Sequence, residues 1–142
     1  MKKILVIMVM TVFIANLSTG CSKSKFGENY EKFNESFFLA TDFIDKGNDL
    51  SERLKLIDKN IIETELPKMK QYLDFMGTMK NNKRDDILYN NSKSSLNDVE
   101  NLLEIIEKIN NYSNISEEEK LKVFSNVGSI IQGREIIKHN VY

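Results

Sequence analysis

The feature that most constrains the fold is the spacing of apolar side chains after residue 28. They recur every three or four residues, and no segment alternates with a period of two over a convincing length. The chain has one Pro and six Gly, which leaves little turn chemistry for β-hairpins. The pattern therefore predicts an all-α fold, an antiparallel bundle of four or five helices over residues 28–142.

The first predicted helix runs from Glu28 to Lys46 and ends at Gly47-Asn48. Its inward face consists of aromatic and aliphatic side chains at helical spacing: Tyr30, Phe33, Phe37, Ala40 and Ile44. A second helix follows, with Asp49 and Glu52 as a capping pair. Its apolar stripe consists of Leu50, Leu54, Ile57 and Ile61. We expect a kink or break near Leu66, before Pro67, and a continuation to Met79.

Two more helices follow a polar loop at residues 80–84. The first is predicted over Asp86–Asn110, with a weak start that leaves Ser95 as an alternative beginning. The second begins at a capping box of Ser116 and Glu119 and ends near His139. Its predicted inward face is Leu121, Phe124, Val127 and Ile131, and Gly128 is predicted to permit close helix packing.

The N-terminal segment differs from the rest of the chain and has the pattern of a secretory signal peptide. Lys2 and Lys3 precede an apolar stretch at residues 4–15, and small residues follow at 18–20. Twelve helical residues rise only about 18 Å, short of a bilayer core of about 30 Å. An uncleaved anchor or a buried strand is the alternative interpretation.

The stretch Leu17-Ser18-Thr19-Gly20-Cys21 resembles the lipobox of bacterial lipoproteins, in the looser form found in spirochaetes. Ser18 occupies the position that usually holds Leu, and Leu17 lies one step further out. The resemblance implies cleavage before Cys21 and acylation of that residue, with no implication for the mature domain. The expected organisation is a signal peptide at 1–20, a lipidated tether at 21–27 and a helical bundle at 28–142.

Charge and composition exclude several classes of function. The chain has 20 basic and 21 acidic residues, so no nucleic-acid partner is expected. With one Cys and one His, a Cys/His zinc cluster cannot form, and Glu135 with His139 supplies two of the three ligands that a catalytic zinc needs. The acidic runs at 85–86 and 117–119 fit helix starts. We expect neither a cofactor nor an enzymatic activity.

Two helices have apolar residues on more than one side. Leu39 and Phe43 lie opposite the inward face of the first helix, and Val123, Ile130 and Ile137 recur every seven residues in the last. Either these helices bury both faces, or the five residues form an exposed patch for a protein partner, a second copy or a small apolar ligand. A basic loop of Lys80, Lys83 and Arg84 either contacts an anionic surface or is simply solvated.

The sequence thus predicts a lipid-anchored bacterial envelope protein that acts as a non-catalytic binding module for a protein or a host or envelope ligand. It contacts the membrane through Cys21, and Ser22 after the Cys favours the outer membrane or the cell surface. The alternative hypothesis is an envelope exclusion or inhibitor lipoprotein that acts against the entry of phage or plasmid.

Overall fold

The computed structural model describes residues 24–108 and 115–140, and this part of the chain is all-α, as predicted. It contains helices α1 (Lys25–Ala40), α2 (Phe43–Lys46), α3 (Leu50–Lys55), α4 (Lys59–Met79), α5 (Lys83–Lys108) and α6 (Glu117–His139). No strand is present between residues 24 and 108 or between 115 and 140. None of these six helices combines the length and the apolar character needed to cross a bilayer.

Helix α1 begins at Lys25, three residues before its predicted start. Ser24 is the N-cap, and its Oγ accepts a hydrogen bond of 3.1 Å from the amide of Gly27. Phe26 and Gly27 are buried, so the end of the predicted tether belongs to the bundle. The predicted signal peptide and Cys21 lie outside the described residues.

The four long helices run alternately up and down. At one end Asn29 Nδ2 lies 3.9 Å from Met79 Sδ and Lys80 Nζ lies 2.9 Å from Asp86 Oδ1. At the other end Lys59 Nζ lies 3.2 Å from Glu107 Oε1. We call the end with Ser24 and the loop 80–82 the near end, and the end with the starts of α4 and α6 the far end.

Aromatic residues of α1 form the centre of the core. Phe26, Tyr30, Phe33 and Phe37 are each at most 1% exposed, and they pack in one cluster with α4, α5 and α6. These partners include Ile62, Met69 and Met76 of α4 and Leu88, Val99 and Leu102 of α5. Complete burial of one such side chain stabilises the fold by about 1.5–3 kcal/mol, so the aromatic face of α1 is what holds the bundle together.

The second predicted helix is interrupted at a different place than expected. The chain leaves helical conformation at residues 56–58, where the Asp58 carboxylate accepts from the amides of Asn60 (2.9 Å) and Ile61 (3.4 Å) and starts α4. Helix α4 continues through Pro67, so of the kink or break predicted near Leu66 the break does not occur. Pro67 is exposed, and its missing N–H removes one hydrogen bond from the helix.

Helix caps explain where the remaining helices begin. Glu52 donates its amide to Asp49 Oδ1 at 2.9 Å, and the Ser116–Glu119 capping box is present, so both predicted caps are confirmed. Helix α5 begins at Lys83 because Asn82 Oδ1 accepts the amide of Asp85 at 3.0 Å. The alternative start at Ser95 is therefore wrong.

The predicted inward face of the last helix is correct for Val127 and Ile131, which pack in or against the core, and wrong for Leu121 and Phe124. The buried side chains of α6 are Val123, Val127, Ile130, Arg134 and Ile137, whereas Leu121 is 68% exposed and Phe124 is 65% exposed. Apolar residues lie almost all around α6, so their period does not determine which side packs. The ion pair between Arg134 and Asp45 determines instead which side of α6 packs against the other helices.

The close helix packing predicted at Gly128 occurs one turn later. A Cβ at Gly128 would meet nothing within 4 Å, whereas a Cβ at Gly133 would lie 3.0 Å from Ser95 Oγ and 3.5 Å from the Phe37 ring. Gly133 therefore permits α6 to approach both α5 and α1.

Candidate binding surface at the far end of the bundle

A polar groove of about 560 Å³ lies between α5 and α6 and opens towards the far end. The two helices contribute residues one turn apart, because a helix presents positions i, i+3 and i+4 on one side. The lining residues are Asp98, Asn101, Glu104, Ile105, Glu119, Lys122, Ser125, Asn126 and Ser129. A hollow of about 230 Å³ shares Asp98 and Ser129 with this groove and extends it towards Asn91 and Ile136.

Asn126 holds the two walls of the groove together. Its Nδ2 donates to the backbone carbonyl of Asp98 at 3.0 Å, 28 residues earlier in the chain. The carbonyl of a helical residue already accepts one bond within its helix and has a second lone pair for such a donor. The link fixes the spacing of α5 and α6 in the middle of the groove.

The charged groups of the groove have different electrostatic surroundings. Burial raises the pKa of the Asp98 carboxyl, because the charged form loses hydration. The hydrogen bond from Ser116 lowers the pKa of Glu119, and the hydrogen bond to Glu118 raises the pKa of Lys122. Glu119 is already engaged in its capping box and is exposed to solvent. The arrangement suits recognition of hydrogen-bond donors and cations better than proton transfer, which requires converging carboxyls in a pocket that excludes water.

Two exposed apolar side chains of α6 lie outside this groove, and neither of them lines it. Leu121 and Phe124 are adjacent on the outer side of α6, and both are about two-thirds exposed. Leu121 lies one turn before Ser125, which lines the groove. We call Leu121 and Phe124 the apolar rim. Apolar side chains beside a polar groove give a surface that both an apolar and a polar group of one partner can contact.

The residues that the sequence singled out for a partner mostly lie in the core. Phe43 is 1% exposed, Val123 1%, Ile130 0% and Ile137 5%, so these four cannot contact a partner in this structure. These four are buried, but α6 does not bury both of its apolar faces, since Leu121 and Phe124 are exposed. Leu39 is 53% exposed and remains on the surface.

Arg134 is a buried charge that the sequence analysis missed. Its Nη1 donates to the Thr41 carbonyl at 3.0 Å and to Thr41 Oγ1 at 2.8 Å, and its Nη2 pairs with Asp45. Its guanidinium also lies 4.6 Å from the centre of the Phe38 ring. These contacts attach α6 to the turn between α1 and α2. Arg134 shares its helix face with Val127, Ile130 and Ile137, and the sequence alone carries no signal that a charged residue lies on the inner side.

The remaining candidates from the sequence lie at the near end. Glu135 pairs with Lys138 at 2.8 Å, and His139 is exposed at the end of α6. Within residues 24–108 and 115–140, no group of three or more His, Cys, Asp or Glu side chains is arranged to hold a metal ion. In the basic loop, Lys80 pairs with Asp86 and lies 4.6 Å from the centre of the Tyr89 ring.

Comparisons of the chain with protein-family models, with curated proteins and with solved structures find no match.

Proposed function

We propose that this chain is a lipid-anchored protein of a bacterial envelope that binds a protein partner, without catalysis, through the apolar rim and the adjoining groove. The observation that carries the proposal is the exposure of two large apolar side chains, Leu121 and Phe124, one turn apart on the outer side of α6, with Leu121 one turn before the groove residue Ser125. Interface centres are enriched in aromatic side chains, and a polar groove beside them supplies directional contacts.

The lipid anchor is supported by the N-terminal pattern. A positive start, an apolar stretch and a small-residue exit precede Cys21, the only cysteine of the chain. Diacylglycerol on the Cys21 thiol and an acyl chain on its new amine would anchor the protein stably, since one chain alone binds a membrane only marginally. Mass spectrometry of the membrane fraction tests this proposal. A mass with three acyl chains on Cys21 is expected, and an unmodified thiol or a retained Met1 contradicts it.

The placement at the outer membrane or the cell surface is tested on intact cells. Added protease is expected to degrade the domain if the protein is displayed outward. Survival of the domain until the cells are permeabilised contradicts surface display but not the anchor.

The binding role is tested by site-specific photocrosslinking in the native envelope. A photoreactive phenylalanine analogue replaces Phe124 in one variant and Phe75 in the control, since Phe75 is a half-exposed aromatic residue of α4, away from the groove. A discrete adduct from position 124 that is absent from position 75 supports the proposal. A Leu121→Ser change in the same chain should weaken that adduct. Equal labelling at both positions, or no adduct at 124, contradicts it. An adduct of twice the chain mass identifies a second copy as the partner.

A further inference from the structure

We propose that the near end of the bundle is an electrostatic foot, which rests on an anionic lipid leaflet and directs the apolar rim away from the membrane. The inference deepens the proposed function, because it uses an anchor that attaches just before Ser24. It adds a lipid-facing surface and an orientation that the anchor alone does not determine.

The chain emerges at the end that carries the exposed cations. Ser24 caps α1, and Asn29, one turn later, contacts Met79 at the end of α4. The loop that follows α4 therefore lies beside the point where the chain continues towards Cys21. Ser24 is the third residue after Cys21, a distance of at most about 10 Å along an extended chain. An anchor at Cys21 would hold this end within reach of the lipid headgroups.

Lys25, Lys80, Lys83 and Arg84 form the foot. Lys25 and Lys83 are exposed at the first turns of α1 and α5. Lys80 pairs with Asp86 and lies over the Tyr89 ring, so its charge is partly compensated. Glu28 and Asp86 are the exposed carboxylates nearest to these cations in the chain. The cations still exceed them at the tip, and the intervening loop residues Asn81 and Asn82 are uncharged.

The charge of the bundle differs between its two halves. The near half, residues 25–37, 71–95 and 131–140, contains eight basic and seven acidic residues. The far half, residues 38–70, 96–108 and 117–130, contains nine basic and fourteen acidic residues. One of these basic residues, Arg134, is buried and pairs with Asp45 of the far half, so apart from this pair a neutral near half faces a net charge of −4 on the far half. An anionic leaflet attracts the exposed cations of the foot and repels the far half, so the field of the leaflet favours an upright bundle.

The upright position determines what the far end can do. Helix α5 has 26 residues and is about 39 Å long. The surface potential of the leaflet decays over about 8 Å at physiological salt. In an upright bundle the far end of α5 therefore lies well beyond the reach of this potential. The apolar rim and the open end of the groove would therefore project into the solvent. A bundle that lies flat would bring part of this surface to the lipid instead.

Tryptophan quenching in vesicles tests the orientation on the full-length anchored chain. The chain has no Trp, so a single engineered one is an unambiguous reporter. Asn81→Trp reports on the foot, and Asn60→Trp, at the start of α4, reports on the far end. Vesicles contain brominated phosphatidylcholine as quencher, with or without phosphatidylglycerol. We expect quenching and a blue shift for Asn81→Trp only with phosphatidylglycerol, and neither change for Asn60→Trp.

Charge reversals complete the test. Lys25→Glu with Lys83→Glu should abolish the quenching of Asn81→Trp, because each cation near the leaflet raises binding about fivefold. Lys46→Glu with Lys55→Glu, two exposed lysines of the far half outside the groove, gives the same net charge and should leave the quenching unchanged. The proposal would be overturned if both reporters were quenched equally, if quenching occurred without phosphatidylglycerol, or if neither reporter were quenched. Equal effects of the two double variants on the quenching would also overturn it. Circular dichroism verifies the helical content of each variant. Mass spectrometry of Cys21 tests the lipid anchor separately, and photocrosslinking at position 124 tests partner binding separately.

Discussion

The orientation of α6 gives the strongest test of this structure, because the sequence pattern favours a neighbouring face that shares only Val127 with the buried one. We compare Ile130→Ala with Phe124→Ala. Ile130 is completely buried, and truncation of a buried isoleucine to alanine destabilises a protein by about 2–5 kcal/mol. Phe124 is 65% exposed. Full burial of such a side chain is worth about 1.5–3 kcal/mol, so the third that is shielded corresponds to about 0.5–1 kcal/mol.

Urea unfolding monitored by helical circular dichroism measures both values. With a slope of roughly 2 kcal/mol per molar urea, the midpoint of Ile130→Ala should lie roughly 1 M below that of Phe124→Ala. Both variants end in the same residue, so helix propensity does not confound the comparison. A larger loss of stability in Phe124→Ala than in Ile130→Ala would refute the orientation of α6, and with it the apolar rim. The slope should remain constant, because a changed slope would indicate a different denatured state.

Three further predictions concern the same helix and the groove. Gly128→Ala should stabilise the fold by about 0.5–1 kcal/mol, whereas Gly133→Ala should show less stabilisation or a loss in the same thermal melt, because its Cβ would press on Ser95. Arg134→Met should lower the free energy of unfolding by about 1–3 kcal/mol, since it leaves the buried hydroxyl of Thr41 without its arginine donor, while the Thr41 carbonyl keeps the Ile44 amide and the exposed Asp45 carboxylate stays hydrated; a loss below about 0.5 kcal/mol would contradict the assigned contacts. Burial raises the pKa of the Asp98 carboxyl in the folded state above the value of about 3.9 that it has in the unfolded chain. Ionisation of Asp98 therefore lowers the free energy of unfolding at pH values above about 3.9. Asp98→Asn should therefore stabilise the protein at pH 7, and urea titrations should show this advantage disappear at pH 3.

The period of the apolar residues was sufficient to predict the fold class and most of the caps. Tyr30, Phe33 and Phe37 lie in the core as their spacing requires, and the Ser116 capping box starts α6 where expected. Both features depend on residues close together in sequence, whose geometry a helix fixes by itself. The break at 56–58 was missed because Ile57 and Ile61 continue an apolar stripe across it, although Asp58 was a visible capping residue.

The site required tertiary information. Leu121 and Phe124 were predicted to face inward because they belong to the more continuous of two apolar stripes. The stripe that packs contains Arg134, which a sequence argument treats as a mark of the outer face. Only the distant groups of Thr41 and Asp45, about 90 residues earlier in the chain, make its burial favourable. The groove was equally invisible, since its walls meet through Asn126 and Asp98 on separate helices.

The two proposed surfaces of the bundle depend on each other through the direction of its helices. Helix α1 begins at the near end, so an anchor before Ser24 necessarily lies opposite the start of α6. The acidic first turn of α6, Glu117–Glu119, is favourable there because it faces the positive end of its own helix dipole. In the proposed orientation an anionic leaflet would repel these carboxylates, although Lys120 and Lys122 pair with two of them. The charges that start α6 would then also help to keep the apolar rim away from lipid.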